Sequence, residues 1–195
     1  MNLEQGKKLI ELARESISNQ LKGKDTEAAK ELQKEFSSKQ GVFVTLNKQG
    51  ELRGCIGFPE PIMALWKGVV EAAESAAFSD PRFKPITEEE FKEINIEVSV
   101  LTKPELLNVK SAEEYPEKIK IGKDGIIIRS NYGSGLLLPQ VFTEHNSSPE
   151  EALKMTCQKA GIDSYAWKEE GVRIYTFQAQ IFSEKGDEII EKKQS

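Results

Sequence analysis

Two β-rich runs joined by a three-residue connection constrain this chain more than any other feature. Residues 41–47 (GVFVTLN) are β-branched and aromatic. Lys48-Gln49-Gly50 is a glycine-containing turn, and residues 51–56 return as a second strand. Such a connection joins antiparallel neighbours, so the reading begins from a hairpin. Its second arm carries Leu52-Arg53-Gly54-Cys55-Ile56-Gly57, followed by Phe58-Pro59. If the strand runs through, Arg53 and Cys55 share a face, because strand side chains alternate. Gly54 and Gly57 permit a sharp bend or close approach of a ligand to the backbone. A guanidinium beside a thiol favours the reactive thiolate. The same residues also fit a structural role, with the glycines forming a bulge and Cys55 a small buried hydrophobe.

The remaining chain reads as helices between hairpins. Leu9, Ile10, Ala13, Ile17 and Leu21 form the buried stripe of a helix over 3–21. Ala28, Leu32 and Phe36 suggest a short helix within 24–40. A helix over 62–78 begins after Pro61, and its N-terminus is a candidate neighbour of Cys55, where it would lower a thiol pKa or hold an anion. Ser79-Asp80-Pro81-Arg82-Phe83-Lys84-Pro85 is a stiff loop. It reads either as a structural clamp or as a wall on which Arg82 and Lys84 bind an anion. Thr87 and Glu90 form a capping box, and a strand covers 94–102. A short helix over 111–117 follows. A second hairpin is expected from 119–121 to 126–129 around Asp124-Gly125, then a strand over 135–140 closed by Pro139. His145 falls in a polar loop. Ser148, Pro149 and Glu151 open a helix over 150–160, in which Cys157 faces the core and Lys159 does not. A strand over 171–184 and a frayed charged tail over 187–195 complete the chain.

Strands that arrive as hairpins, with helices between them, give an α+β fold with a largely antiparallel sheet flanked by helices. Of 195 residues 38% are apolar, enough for one packed domain. A formal net charge of −5 weighs against a nucleic-acid partner. Met1 to Gln20 lack the apolar core of a signal peptide, and no run is long enough to cross a bilayer. Cys55 and Cys157 therefore read as free thiols in a reducing cytoplasm. His145, the single histidine, is too few for a metal site of the zinc type. Gly133-Ser134-Gly135 lacks the third glycine and the helix of a dinucleotide fingerprint, so no dinucleotide fold is indicated and the sequence leaves the cofactor unknown.

The blocks GVFVTL (41–46), LRGCIG (52–57), AAFSDPRFKP (76–85), EVSVLT (97–102), LLLPQV (136–141), CQKAG (157–161) and 175–184 make the chain similar to the AMMECR-type domain family. The resemblance extends over almost the whole length. It implies a single domain over 1–195, built from two lobes with a cleft between them. It also implies that the signature residues gather at that cleft. Matched position by position, these are Arg53, Gly54, Cys55, Gly57, Asp80, Arg82, Ser99, Pro139, Gln140 and Lys159. It further implies an association with Memo-like and radical-SAM proteins. Where relatives carry a tryptophan–acid pair after the Pro-Gln-Val block, this chain has Asn146-Ser147-Ser148-Pro149.

Two functions follow. In the first, an enzyme uses Cys55 as nucleophile, with Arg53 activating the thiol or binding an anionic small molecule, and His145 as general base. Gly54, Gly57, Asp80, Arg82, Ser99, Pro139, Gln140 and Lys159 would bind the substrate. In the second, the protein is a non-catalytic binding or adaptor module. There Arg53, Arg82 and Lys159 anchor an anionic ligand or partner segment, and Cys55 only packs.

Overall fold

A computed structural model describes residues 1–186 and 188–192. In chain order the elements are α1 (Leu3–Leu21), α2 (Lys30–Glu35), β1 (Gly41–Lys48), β2 (Glu51–Phe58), α3 (Leu65–Phe78), α4 (Glu88–Phe91), β3 (Ile94–Leu101), β4 (Glu105–Leu106), α5 (Tyr115–Lys118), β5 (Asp124–Arg129), β6 (Ser134–Leu137), α6 (Pro139–Glu144), α7 (Pro149–Lys159), β7 (Arg173–Lys185) and β8 (Glu188–Lys192). The fold is α+β, and the pairings β1–β2, β1–β3, β4–β7, β5–β6, β5–β7 and β7–β8 are all antiparallel. The described residues divide into two compact units, one of Met1–Leu101 with Gln180–Lys192 and one of Thr102–Ala179.

In the first unit β1 pairs with β2 on one side and β3 on the other. Alternation decides what each strand buries. Val42, Val44 and Leu46 of β1 and Ile96 and Val98 of β3 are fully buried against α1 and α3. On α1 the stripe Leu9, Ile10, Ala13 and Ile17 is closed from solvent. Gly6 lies so near the Phe182 ring that a Cβ there would come within 2.1 Å of it. Arg14 clasps Glu184 with Nε and Nη2 at 2.8 and 2.5 Å, and Glu184 also accepts the Ile96 N–H at 2.7 Å. The segment 180–192 is thereby tied to both α1 and β3.

In the second unit β5 lies between β6 and the first half of β7. Ile126, Ile128, Phe142, Leu153, Cys157, Trp167 and Ile174 form its core. Gly135 lets β6 meet α7 closely, since a Cβ there would lie 2.5 Å from the Ala160 nitrogen.

Several boundaries differ from the sequence reading. The helix expected over 62–78 starts at Leu65, because the free N–H groups of Leu65 and Trp66 donate to the Ser38 and Phe36 carbonyls. Asp124-Gly125 opens β5 instead of forming a turn. The Asp124 carboxylate accepts the Lys120 N–H at 2.9 Å, and the hairpin turn lies at 130–133, where Ser130 and Gly133 bond each other. Pro139 and Gln140 begin α6 rather than end a strand, since a proline lacking an N–H suits the first helical position. Residues 188–192 of the expected frayed tail form β8 on β7; Asp187 and residues 193–195 of that tail lie outside the described residues.

Candidate functional site

The register of the β1–β2 hairpin explains the signature stretch. Leu46 pairs with Gly54, but Asn47 pairs with Leu52, so Arg53 is the extra residue of a β-bulge. The bulge re-aims Arg53. Its guanidinium grips Glu90 of α4 through Nε at 2.7 Å and Nη2 at 3.0 Å, and Nη2 also donates to the Lys84 carbonyl at 2.7 Å. Nη1 is buried without a partner among the described residues. Glu90 is held below its ordinary pKa, first by the Arg53 hydrogen bond.

Beyond the bulge, alternation is regular. Cys55, Thr45 and Glu97 form one cross-strand row, and Gly57, Phe43 and Ser99 the next. Both rows lie on the sheet face opposite the buried Val42, Val44 and Leu46. The Thr45 hydroxyl donates to the Cys55 sulfur at 3.3 Å. Gly57 leaves room for the Phe43 ring, 2.4 Å from where a Cβ would stand. Gly54 faces the other way, where a Cβ would sit 2.3 Å from the Ala76 carbonyl oxygen in the last turn of α3. The C-terminal end of α3, not its N-terminus, therefore approaches Cys55.

The loop after α3 holds the outer edge of β2. Asp80, its side chain 1% exposed, accepts the Cys55 N–H at 2.9 Å and the Arg82 N–H at 3.1 Å. It also takes Arg82 Nε at 3.0 Å and Nη2 at 2.7 Å. Arg82 Nη2 reaches on to the Cys55 carbonyl at 3.2 Å. Both backbone polar groups of Cys55 are thus bound by side chains of the loop, in the position a neighbouring strand would take. The Phe83 ring lies 5.5 Å from the guanidinium of Arg53 and 5.5 Å from that of Arg82. The Arg82 hydrogen bond, first among several, holds the Asp80 carboxyl far below the usual carboxylate range.

This arrangement corrects the expected activation of Cys55. Burial pushes its thiol above the ordinary value; Thr45 and Arg82 pull it down, while Glu97 and Asp80 add to the rise. The nearby cation is Arg82, because the bulge has turned Arg53 to Glu90. Among the sequence-derived site residues, the first unit brings together Arg53, Gly54, Cys55, Gly57, Asp80, Arg82 and Ser99. The other four belong to the second unit. Pro139 and Gln140 start α6, His145 is the exposed C-cap at its far end, and Lys159 is the exposed last residue of α7. Sequence reasoning missed Thr45, Glu90, Glu97 and Lys192, whose ammonium bonds Glu97 at 2.5 Å. Thr45 and Glu97 were accessible in principle, through the alternation of β1 and β3.

The AMMECR1 family model matches residues 10–182. A protein from Methanothermobacter thermautotrophicus is 46% identical over 187 residues, covering 95% of this chain and 97% of its own length. Protein MJ0810 from Methanocaldococcus jannaschii is 49% identical, covering 99% of this chain and 98% of its own. The crystal structure of the uncharacterized protein PH0010 from Pyrococcus horikoshii matches with a TM-score of 0.91 and 45% identity, over 97% of each chain.

Proposed function

This chain belongs to the AMMECR1 family, and on that premise we propose that its first unit is a non-catalytic binding module. It holds an anionic group, of a small ligand or a partner segment, against the turn that carries Arg82 and Lys84. The observation that carries this reading is the state of Cys55. A nucleophilic cysteine needs a lowered pKa or a base within reach. Here burial and two carboxylates favour the neutral thiol, and the side chain in contact with the sulfur is a hydroxyl donor. Arg82 is different. Asp80 and the Cys55 carbonyl fix Nε and Nη2, leaving the N–H groups of Nη1 for a ligand on a side chain that is 53% exposed. A guanidinium already locked in place loses little freedom when it binds an anion. Lys84, two residues on, is exposed beside it.

Two measurements test this reading. In a Cys157→Ala background, the rate of Cys55 alkylation by iodoacetamide is expected to keep rising beyond pH ~8.5, the ordinary thiol value. A plateau reached below neutral pH would overturn the reading in favour of a cysteine enzyme. Inorganic phosphate, titrated into the protein, is expected to shift the amide resonances of residues 80 and 82–84 saturably, and Arg82→Gln to abolish the shift. Absence of a shift in the parent protein would remove the anion site.

A further inference from the structure

We propose that the second unit contains a separate site for a cationic head group, an alkylammonium or guanidinium carried on a short apolar or aromatic body. The site is a cavity of about 240 Å³ lined by residues 130–132, 161–163, 166 and 169–172. None of these is among the residues discussed above for the first unit. The cavity is smaller than the roughly 300–1,000 Å³ of pockets that enclose drug-sized ligands, so it suits a head group with a short body.

The cavity's shape follows from local backbone geometry. Gly161, at φ +72°, ends α7 and lets the Ile162 N–H bond back to the Cys157 carbonyl. Gly171, at φ +87°, turns the chain into β7. The Ser130 hydroxyl collects the N–H groups of Tyr132 and Gly133. These turns consume donors: the N–H groups of Tyr132, Gly161, Ile162 and Val172 all bond within the protein. Acceptors are left over. Asp163 uses Oδ1 for the Tyr165 N–H at 2.8 Å and keeps Oδ2. Among the described residues, neither it nor Glu169 nor Glu170 is paired with a lysine or arginine. Their field is felt behind the cavity wall, where Asp163 and Glu169 both add to the burial that raises the pKa of Cys157.

The rest of the lining combines the polar Ser130 and Asn131 with apolar residues. Ile162, Ala166 and Val172 face the cavity, and Tyr132, 90% exposed, stands among the lining residues. An aromatic ring beside unpaired carboxylates is the combination that attracts ammonium and guanidinium groups, and an apolar wall beside it accepts the carbon body. The charged members of the lining, Asp163, Glu169 and Glu170, are all acidic, which disfavours a carboxylate or phosphate.

The test uses the full chain and 2-phenylethylamine, followed by amide chemical shifts. Saturable shifts confined to residues 130–132, 161–163 and 169–172 are expected, with none from the neutral 2-phenylethanol at equal concentration. Glu169→Gln with Glu170→Gln is expected to weaken binding at least tenfold at an unchanged unfolding midpoint. Should that double variant unfold early, Tyr132→Ala, at an exposed turn, is expected to weaken binding several-fold instead. Shifts that fail to saturate, that scatter over the chain, that appear equally with the alcohol, or that survive these substitutions would overturn the proposal. A Gly-Lys-Gly peptide distinguishes the source. Tighter binding of the peptide identifies a basic side chain of a partner, and tighter binding of the amine a free small molecule; both carry the same head group.

Discussion

Replacing Asp80 by asparagine tests the clamp on Cys55. The carboxylate receives N–H groups from the Cys55 backbone, the Arg82 backbone, Arg82 Nε and Arg82 Nη2. Asparagine keeps one oxygen and turns the other into a donor, so two of these N–H groups lose their acceptor and face another N–H. Hydrogen bonds to a charged group contribute roughly 1.5–3 kcal/mol each. Arg82 is half exposed and regains water when released, so its contribution is discounted toward that of a surface pair. The expected loss is therefore ~3 kcal/mol, which for a chain of this size lowers the unfolding midpoint by ~6–12 °C. The pH dependence supplies a second signature. The folded carboxyl titrates well below its unfolded value, so its stabilisation is fully present above pH ~4 and is lost as pH falls further. The gap between parent and Asp80→Asn should accordingly narrow on acidification below that point. Thermal unfolding followed by circular dichroism at neutral and acid pH reads both effects. A midpoint change under 2 °C, or a gap that stays constant with pH, would refute the assignment of Asp80 as an ionised clamp.

Gly54→Ala places a Cβ 2.3 Å from the Ala76 carbonyl oxygen, a backbone atom that cannot swing away. Overpacking of that kind costs ~3 kcal/mol, so the midpoint should fall by ~6–12 °C, and an unchanged midpoint would contradict the close approach of β2 to α3. In the second unit, Ser148→Ala removes the cap that accepts the Glu151 N–H at 3.3 Å. Chemical denaturation should show a loss of ~1 kcal/mol, and a neutral result would mean that the capping box does not stabilise α7.

The sequence was most legible where one local rule decided the outcome. The stripe of α1, the β1–β2 hairpin and the Ser148–Glu151 capping box need only neighbours within a few positions. Pro139 reads in the sequence as a strand stop because a helix start and a strand end both suit a residue without an N–H; packing decides for the helix, with Pro139 and Phe142 buried. At the candidate site, Arg53, Cys55, Asp80 and Arg82 were identified by type, but their partners were not. The expected sharing of a face by Arg53 and Cys55 assumed unbroken alternation, and one bulged residue cancelled it. Glu90, named at first only as half of a capping box, turned out to hold Arg53. Pairings of this kind span tens of residues and depend on strand register, which no local pattern carries.

The first unit is discontinuous along the chain, and this sets an order of assembly during synthesis. Met1–Leu101 leave the ribosome first, yet they lack Phe182 beneath Gly6, Glu184 beneath Arg14, and β8. Those pieces are translated only after the whole of 102–179. An N-terminal fragment thus emerges with α1 missing part of its packing surface and the Ile96 N–H missing its acceptor. The second unit holds nearly all of its own contacting residues in one continuous stretch by then. The described residues of the second unit are thus all translated before the last pieces of the first. A nascent chain truncated before residue 180 would carry a closed second unit behind an unfinished first one.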